Sequence, residues 1–174
     1  MWEDYLKGTY MDGRLRNMTS LYLRHEDKLL LLYRIGSRII ADSYTGSAGG
    51  HFEKEELNDA RACVLRELYE ETGLTEQEID NLSLRYVTFR LKNGELRQNY
   101  YFFADLIHGG KVITSNEGDL KWFRIEELLE TQLEMPYTAH YVVKHYAEIG
   151  KDTDVLYVGA ATESGVVFIE MKDF

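Results

Sequence analysis

The stretch "RELYEETGL", residues 66–74, sets three carboxylates, Glu67, Glu70 and Glu71, beside Arg66. On a helix the spacings i, i+3 and i+4 bring such groups onto one face, where like charges repel by a few tenths of a kcal/mol per pair. Working outward, Asn58 or Asp59 is placed to cap a helix running to about Thr72, and Gly73 supplies a left-handed stop. Ala62, Val64, Leu65 and Leu68 form one apolar stripe. That stripe turns Leu65 and Leu68 inward and leaves the three glutamates projecting together on another side. Arg66, four residues before Glu70, is positioned to pair with and orient that carboxylate. Clustered carboxylates make an oxygen-rich site suited to Mg2+ or Mn2+, hard cations that keep waters and meet phosphate oxygens. From charge alone, a solvated acidic face is the commoner explanation.

Strands surround this helix. "TSLYLRHEDKLLLLYR" (19–34) reads as two strands about the polar turn His25–Lys28, and residues 42–56 as a short strand passing into a Gly- and Ser-rich loop. In "SLRYVTFRLKNGELRQNYYFFADL" (83–106) two β-rich runs flank Asn93-Gly94, a preferred tight-turn dipeptide. A two-residue turn there sets Lys92 opposite Glu95 and Arg90 opposite Arg97. "KWFRIEELL" (121–129) predicts a short strand entering a helical turn. "TAHYVVKHYAEI" (138–149) predicts an amphipathic helix with Ala139, Val142, Val143, Tyr146 and Ile149 along one side. The chain of 174 residues is read as one domain, with residues 152–174 a β-hairpin extension turning at Thr162–Gly165. Lacking a regular βαβ repeat, the pattern predicts an α+β or layered α/β/α domain.

A formal net charge of −10 argues against sequence-independent nucleic-acid binding, which needs a basic surface. It is compatible with a small phosphorylated ligand when cations bridge the two anions. No apolar run approaches the length of a membrane span, and "MWEDYLKGTYMDGRLRNM" has no apolar core of a secretory signal. The single cysteine, Cys63, forms no internal disulfide and suits a reducing cytoplasm. The oligomeric state stays open, a homodimer included.

With Gly49-Gly50 and Glu56, the run Arg66-Glu67-Leu68-x-Glu70-Glu71-x-Gly73-Leu74 resembles the signature of the Nudix hydrolases. That signature is Gly, five residues, Glu, seven residues, Arg-Glu-apolar-x-Glu-Glu-x-Gly-apolar. The match from Arg66 to Leu74 is complete, and Gly50 to Glu56 keeps the family spacing. Nine residues rather than seven separate Glu56 from Arg66, so a two-residue insertion within Leu57–Ala60 is expected to loosen Glu56. Ala48 stands where the family often carries proline. The resemblance implies a Nudix-type α/β/α sandwich with a mixed central sheet. It also implies a metal-dependent hydrolase that holds Mg2+ or Mn2+ against a pyrophosphate while water attacks one phosphorus. Glu67, Glu70, Glu71 and Gly50 are then the metal-holding residues, Glu67 and Glu70 are catalytic, and Arg66 and Glu56 orient the site. Metal ions screen the carboxylates from one another and from the substrate, which accounts for their crowding.

Several Nudix enzymes carry a further acidic residue on a later loop, and Glu117 in "SNEGDLKWF" occupies such a place; an ordinary exposed loop glutamate is the alternative. His51, beside the glycines, is a candidate phosphate contact or a polar loop residue. Arginines facing each other at 90 and 97 are destabilising unless an anion lies between them, so the pair is assigned to a phosphate or other charged group of the substrate, against splaying into water. Tyr100–Phe103 fit alternating strand packing better than base stacking. Cys63 reads as a packed thiol, which counts against a Nudix-fold isopentenyl diphosphate isomerase. Marks of ADP-sugar, dinucleoside polyphosphate and NADH enzymes are missing. By elimination the leading substrate is a nucleoside triphosphate, as for MutT-like enzymes. An ADP-ribose or nucleotide-sugar pyrophosphatase, the isomerase and a catalytically silent nucleotide-binding module are the remaining alternatives.

Overall fold

The computed structural model describes residues 13–34, 42–108 and 113–173; the chain start read above against a secretory signal lies outside them up to residue 12. β1 (Leu15–His25) and β2 (Lys28–Arg34) form the first hairpin, and β3 (Ser43–Thr45) enters the glycine-rich loop. β4 (Ile79–Lys92) and β5 (Glu95–Leu106) form the second hairpin. Its turn residues Asn93 and Gly94 both carry positive φ, 54° and 72°, the backbone a type I′ turn demands. Register follows: Lys92 pairs with Glu95 and Arg90 with Arg97. β6 (Gly118–Arg124) runs into a 3-10 turn at Glu126–Leu129, and β7 (Leu156–Thr162) and β8 (Gly165–Met171) form the last hairpin.

These strands make one mixed sheet. β1 pairs with β5, and β4 with β7, in parallel; the other pairs are antiparallel. The main order is β2-β1-β5-β4-β7-β8, with β3 and β6 also paired to β2. The terminal hairpin therefore continues the sheet beside β4.

Helices cover both faces, which explains why "LLLLY" is continuous rather than alternating. Leu21, Leu23, Leu30, Phe102 and Ala104 pack with Val64 and Leu68 of α1 (Ala60–Thr72). Tyr22, Leu29, Leu31, Tyr101 and Phe103 turn the other way, onto Val142, Val143 and Tyr146 of α2 (Tyr137–Glu148). Phe103 and Tyr146 stack with ring centroids 3.9 Å apart. So strand packing accounts for the aromatic run at 101–103, and the layers are α/β/α.

Asp59 caps α1, its side chain accepting from the Ala62 N–H at 3.0 Å, and Gly73 ends it at φ 73°. The buried face of α1 is Cys63, Val64 and Leu68, with Leu65 only half-buried. That rotation changes the expected glutamate arrangement. Glu71 follows Leu68 inward and is 9% exposed, whereas the Glu70 side chain is 55% exposed. In α2 the expected inward residues are buried except Ile149, which lies just past the helix end and faces solvent. Among the described residues no helix is long and apolar enough to cross a membrane. Leu68→Ala, at a fully buried position, should cost about 2–5 kcal/mol in a urea titration, and Ile149→Ala no more than about 0.5 kcal/mol.

Candidate active site

β1 and β2 pair through Leu23–His25 and Lys28–Leu30. Earlier along β1, the glycine-rich loop lies against the same strand. Ser47 N–H donates to the Leu21 carbonyl and Leu21 N–H to the Ala48 carbonyl, both at 2.7 Å, and Thr19 N–H donates to the Gly50 carbonyl at 2.8 Å. This stitching leaves no room for a side chain at Gly46 or Gly49, and Gly50 faces Glu67. A Cβ on Gly49 would sit 2.3 Å from the Thr19 carbonyl oxygen, and one on Gly50 would sit 2.3 Å from Glu67 Oε1. An alanine at 50 would therefore push the Glu67 carboxylate aside.

Arg66 gathers the carboxylates from the other side. Its Nε donates to Glu56 Oε1 at 2.6 Å and one terminal nitrogen to Glu56 Oε2 at 2.9 Å. The other terminal nitrogen reaches Glu67 Oε1 at 2.8 Å and Glu70 Oε2 at 3.0 Å, and the His51 carbonyl accepts at 3.0 Å. Glu56 is thus clamped, not loosened. The two extra residues are absorbed beyond it: a 3-10 turn at Lys54–Glu56 ends at Leu57, Asn58 takes a left-handed φ of 74°, and Asp59 opens the helix. Glu56 also accepts from Glu53 N–H at 2.9 Å. The Arg66 contact, helped by that N–H and opposed by burial, holds the Glu56 carboxyl down at about 2.

At the C-terminal end of α1, Glu71 accepts from Gly49 N–H at 3.2 Å and lies 3.8 Å from a terminal nitrogen of Arg34. That same nitrogen of Arg34 contacts Glu117. The loop carrying Glu117 is tied to the helix by Asn116, whose N–H and side-chain amide donate to the Glu71 and Glu70 carbonyls at 3.2 and 3.1 Å. Burial pushes the Glu71 carboxyl up to about 7, with Arg34 and the Gly49 N–H opposing it, and burial also raises Glu67. Each carboxylate is turned onto an arginine, and among the described residues no three acidic, histidine or cysteine side chains converge as a metal cage. Arg34 and Asn116 were not singled out by the sequence; each lies far along the chain from the acids it serves.

A cavity of about 580 Å3 opens beside Gly49, Glu71 and Arg34, between the sheet and the start of α2. Arg90 and Arg97 both line it, as do Arg16 and Lys92. His51 stands apart from that lining, exposed, its Nε2 accepting from Arg16 Nε at 2.6 Å. Partial burial and then Arg16 lower its pKa, which keeps it a neutral acceptor. Cys63 packs 3.3 Å from Thr19 Oγ1, and burial pushes its thiol up to about 12, so it stays protonated.

The depressed Glu56 carboxyl makes a pH-dependent contribution to folding. A folded value of about 2 against an ordinary 4.5 gives stability that is present above 4.5 and lost as pH falls toward 2. Thermal melts between pH 5 and 2 should show Glu56→Gln with a lower Tm at pH 5 and a flatter slope than wild type; parallel slopes would remove the clamp from the stability account.

Residues 14–145 match the model of the NUDIX domain family. A protein of Bacillus subtilis (strain 168) described as an uncharacterized Nudix hydrolase, YvcI, is 32% identical over 119 residues, covering 66% of this chain and 69% of that one. The fold is similar to the mutator MutT protein of Bacillus halodurans, with a TM-score of 0.58 at 22% identity over 89% of this chain and 97% of that chain. It is also similar to the MutT protein of Methanosarcina mazei Go1, with a TM-score of 0.64 at 17% identity over 83% and 100%. At such identities the two structures speak to the fold alone. The family match and the Bacillus subtilis relative go further: the chain belongs to the Nudix family of hydrolases.

Proposed function

We propose that this Nudix hydrolase, acting on a pyrophosphate linkage, uses Mg2+ or Mn2+ to cleave a nucleoside triphosphate. The observation that carries the reading is an imbalance of charge beside a basic cavity. Five carboxylates, Glu56, Glu67, Glu70, Glu71 and Glu117, meet two guanidiniums, those of Arg66 and Arg34. With all ionised, three negative charges are left in excess, and the rise of Glu71 to about 7 is the sign of a buried carboxyl short of a cation. Hard oxygen donors of this kind fit Mg2+ or Mn2+. Glu67, Glu70 and Glu71 would hold the ion, with the Gly50 carbonyl, which already accepts from Thr19 N–H, as a further oxygen. When bound, it would screen substrate from site and polarise the phosphoryl oxygens and a water.

The chain's own residues supply the rest. Arg66 sets the directions of Glu67 and Glu70 through bonds of 2.8 and 3.0 Å. Glu70 and Glu117 are the more exposed acids, at 55% and 40%, and on this reading one of them takes the proton of the attacking water. Arg90 and Arg97 line the cavity and hold the anionic substrate there. A cytoplasmic enzyme acting on free nucleotides fits the net charge of −10 and the protonated, buried Cys63.

Turnover of nucleoside triphosphates should vanish in EDTA and return with Mg2+ or Mn2+; undiminished turnover in EDTA would sink the reading. Glu70→Gln and Glu71→Gln should each lower kcat by on the order of a hundredfold with the circular dichroism spectrum unchanged. Because Glu71 holds its proton up to about 7, proton and cation compete for it. The half-saturating Mg2+ concentration should rise up to about ten-fold per pH unit below that value, and Glu71→Gln should weaken this dependence.

A further inference from the structure

The cavity wall farthest along β1 from the acidic helix carries an unusual arrangement of charge. Arg16 on β1 is in register with Arg97 on β5, and Arg97 with Arg90 on β4. Three arginines thus stand abreast on adjacent strands, all half-buried and all lining the cavity. Like charges on neighbouring strands repel. One carboxylate serves two of them: Glu95 Oε1 lies 2.9 Å from Arg97 Nε and 3.9 Å from an Arg16 terminal nitrogen. Arg90 instead stacks over the Tyr137 ring at 4.6 Å, a contact that uses the face of the guanidinium and leaves its N–H edge for hydrogen bonding. Arg16 Nε is held by neutral His51. The row therefore keeps positive charge and aligned donors, the combination suited to a phosphate.

Its position decides which phosphate. Arg16 lies three residues before Thr19, whose carbonyl abuts Gly49, the partner of Glu71. At ~3.3 Å per residue the row is ~10 Å along β1 from the acidic end. Along the backbone that is farther than the two phosphorus atoms of one anhydride span, and Glu95 draws Arg97 in the opposite direction, while Arg16 is held at 2.6 Å by His51. Resting on the hydrolase reading above, we propose that Arg16, Arg97 and Arg90 form a second anion subsite, taking a phosphate monoester carried by the half of the nucleotide away from the cleaved linkage.

Matched ligands test this by equilibrium binding in EDTA, with turnover in Mg2+ measured separately. The pairs are ADP against its 3′-phosphorylated form, ADP-ribose against its 2′-phosphorylated form, and ATP against ADP. Wild type should bind at least one sugar-phosphorylated ligand about ten-fold or more tightly than its partner. Arg97→Ala and Arg16→Ala should bring that ratio close to one, and Arg97→Lys should keep part of it. Equal affinities in both sugar-phosphate pairs would overturn the subsite, as would a preference that both alanine variants retain. A preference confined to ATP over ADP would also overturn it, since the row would then bind the end of the polyphosphate chain. Preferential binding without turnover would support the subsite while overturning the hydrolase reading.

Discussion

One guanidinium organises the acidic half of the site. Arg66 stands among acceptors from three segments: Glu56 on the 3-10 turn, the His51 carbonyl in the loop, and Glu67 and Glu70 on its own helix. Its planar fork binds Glu56 with two nitrogens, which fixes direction as well as distance. Loop and helix are otherwise tied by the Gly49 N–H to Glu71 bond, since the backbone–backbone contacts of the loop run to β1. Glu67 is then pressed between Arg66 and Gly50, close enough that any side chain at position 50 would displace its carboxylate. Closeness of packing and charge pairing thus specify the same carboxylate position.

The molecule separates its charges by place. Across the chain acids outnumber bases, yet the cavity wall collects Arg16, Arg34, Arg90, Lys92 and Arg97 against Asp42, Glu71 and Glu134. Carboxylates gather at the loop and the C-terminal end of α1, where the backbone offers little relief: a helix C-terminus is electronegative and adds to their repulsion. Glu71 feels this most, being the one carboxylate of the helix that is both buried and served by a distant arginine.

Much of this was legible in the residues. The helix limits followed from Asp59 and Gly73, and the Arg90–Arg97 register from Asn93-Gly94, because caps and tight turns are decided by local chemistry. The phase of α1 was not. Periodicity gives a stripe, but whether Leu65 or Cys63 lies at its centre depends on the strands beneath, and with it whether Glu70 or Glu71 is buried. Glu56 was misjudged because spacing alone does not reveal that Asn58 takes a left-handed conformation and folds the extra residues outward. Arg34 closes the run "LLLLYR", and a cation ending a buried strand was a signal of a kind; its acids, 37 and 83 residues onward, become neighbours only through the sheet.

The gap between β1 and β2 has a consequence of its own. Where the strands part, backbone hydrogen bonds stitch the glycine loop to β1, helped by Ser47 Oγ, which accepts from Leu23 N–H, and by His51, which accepts from Arg16, while the arginines rise from β1, β4 and β5 as side chains. On the proposed reading, the acids that would serve cleavage and the arginines that would select the substrate stand on different parts of the same scaffold.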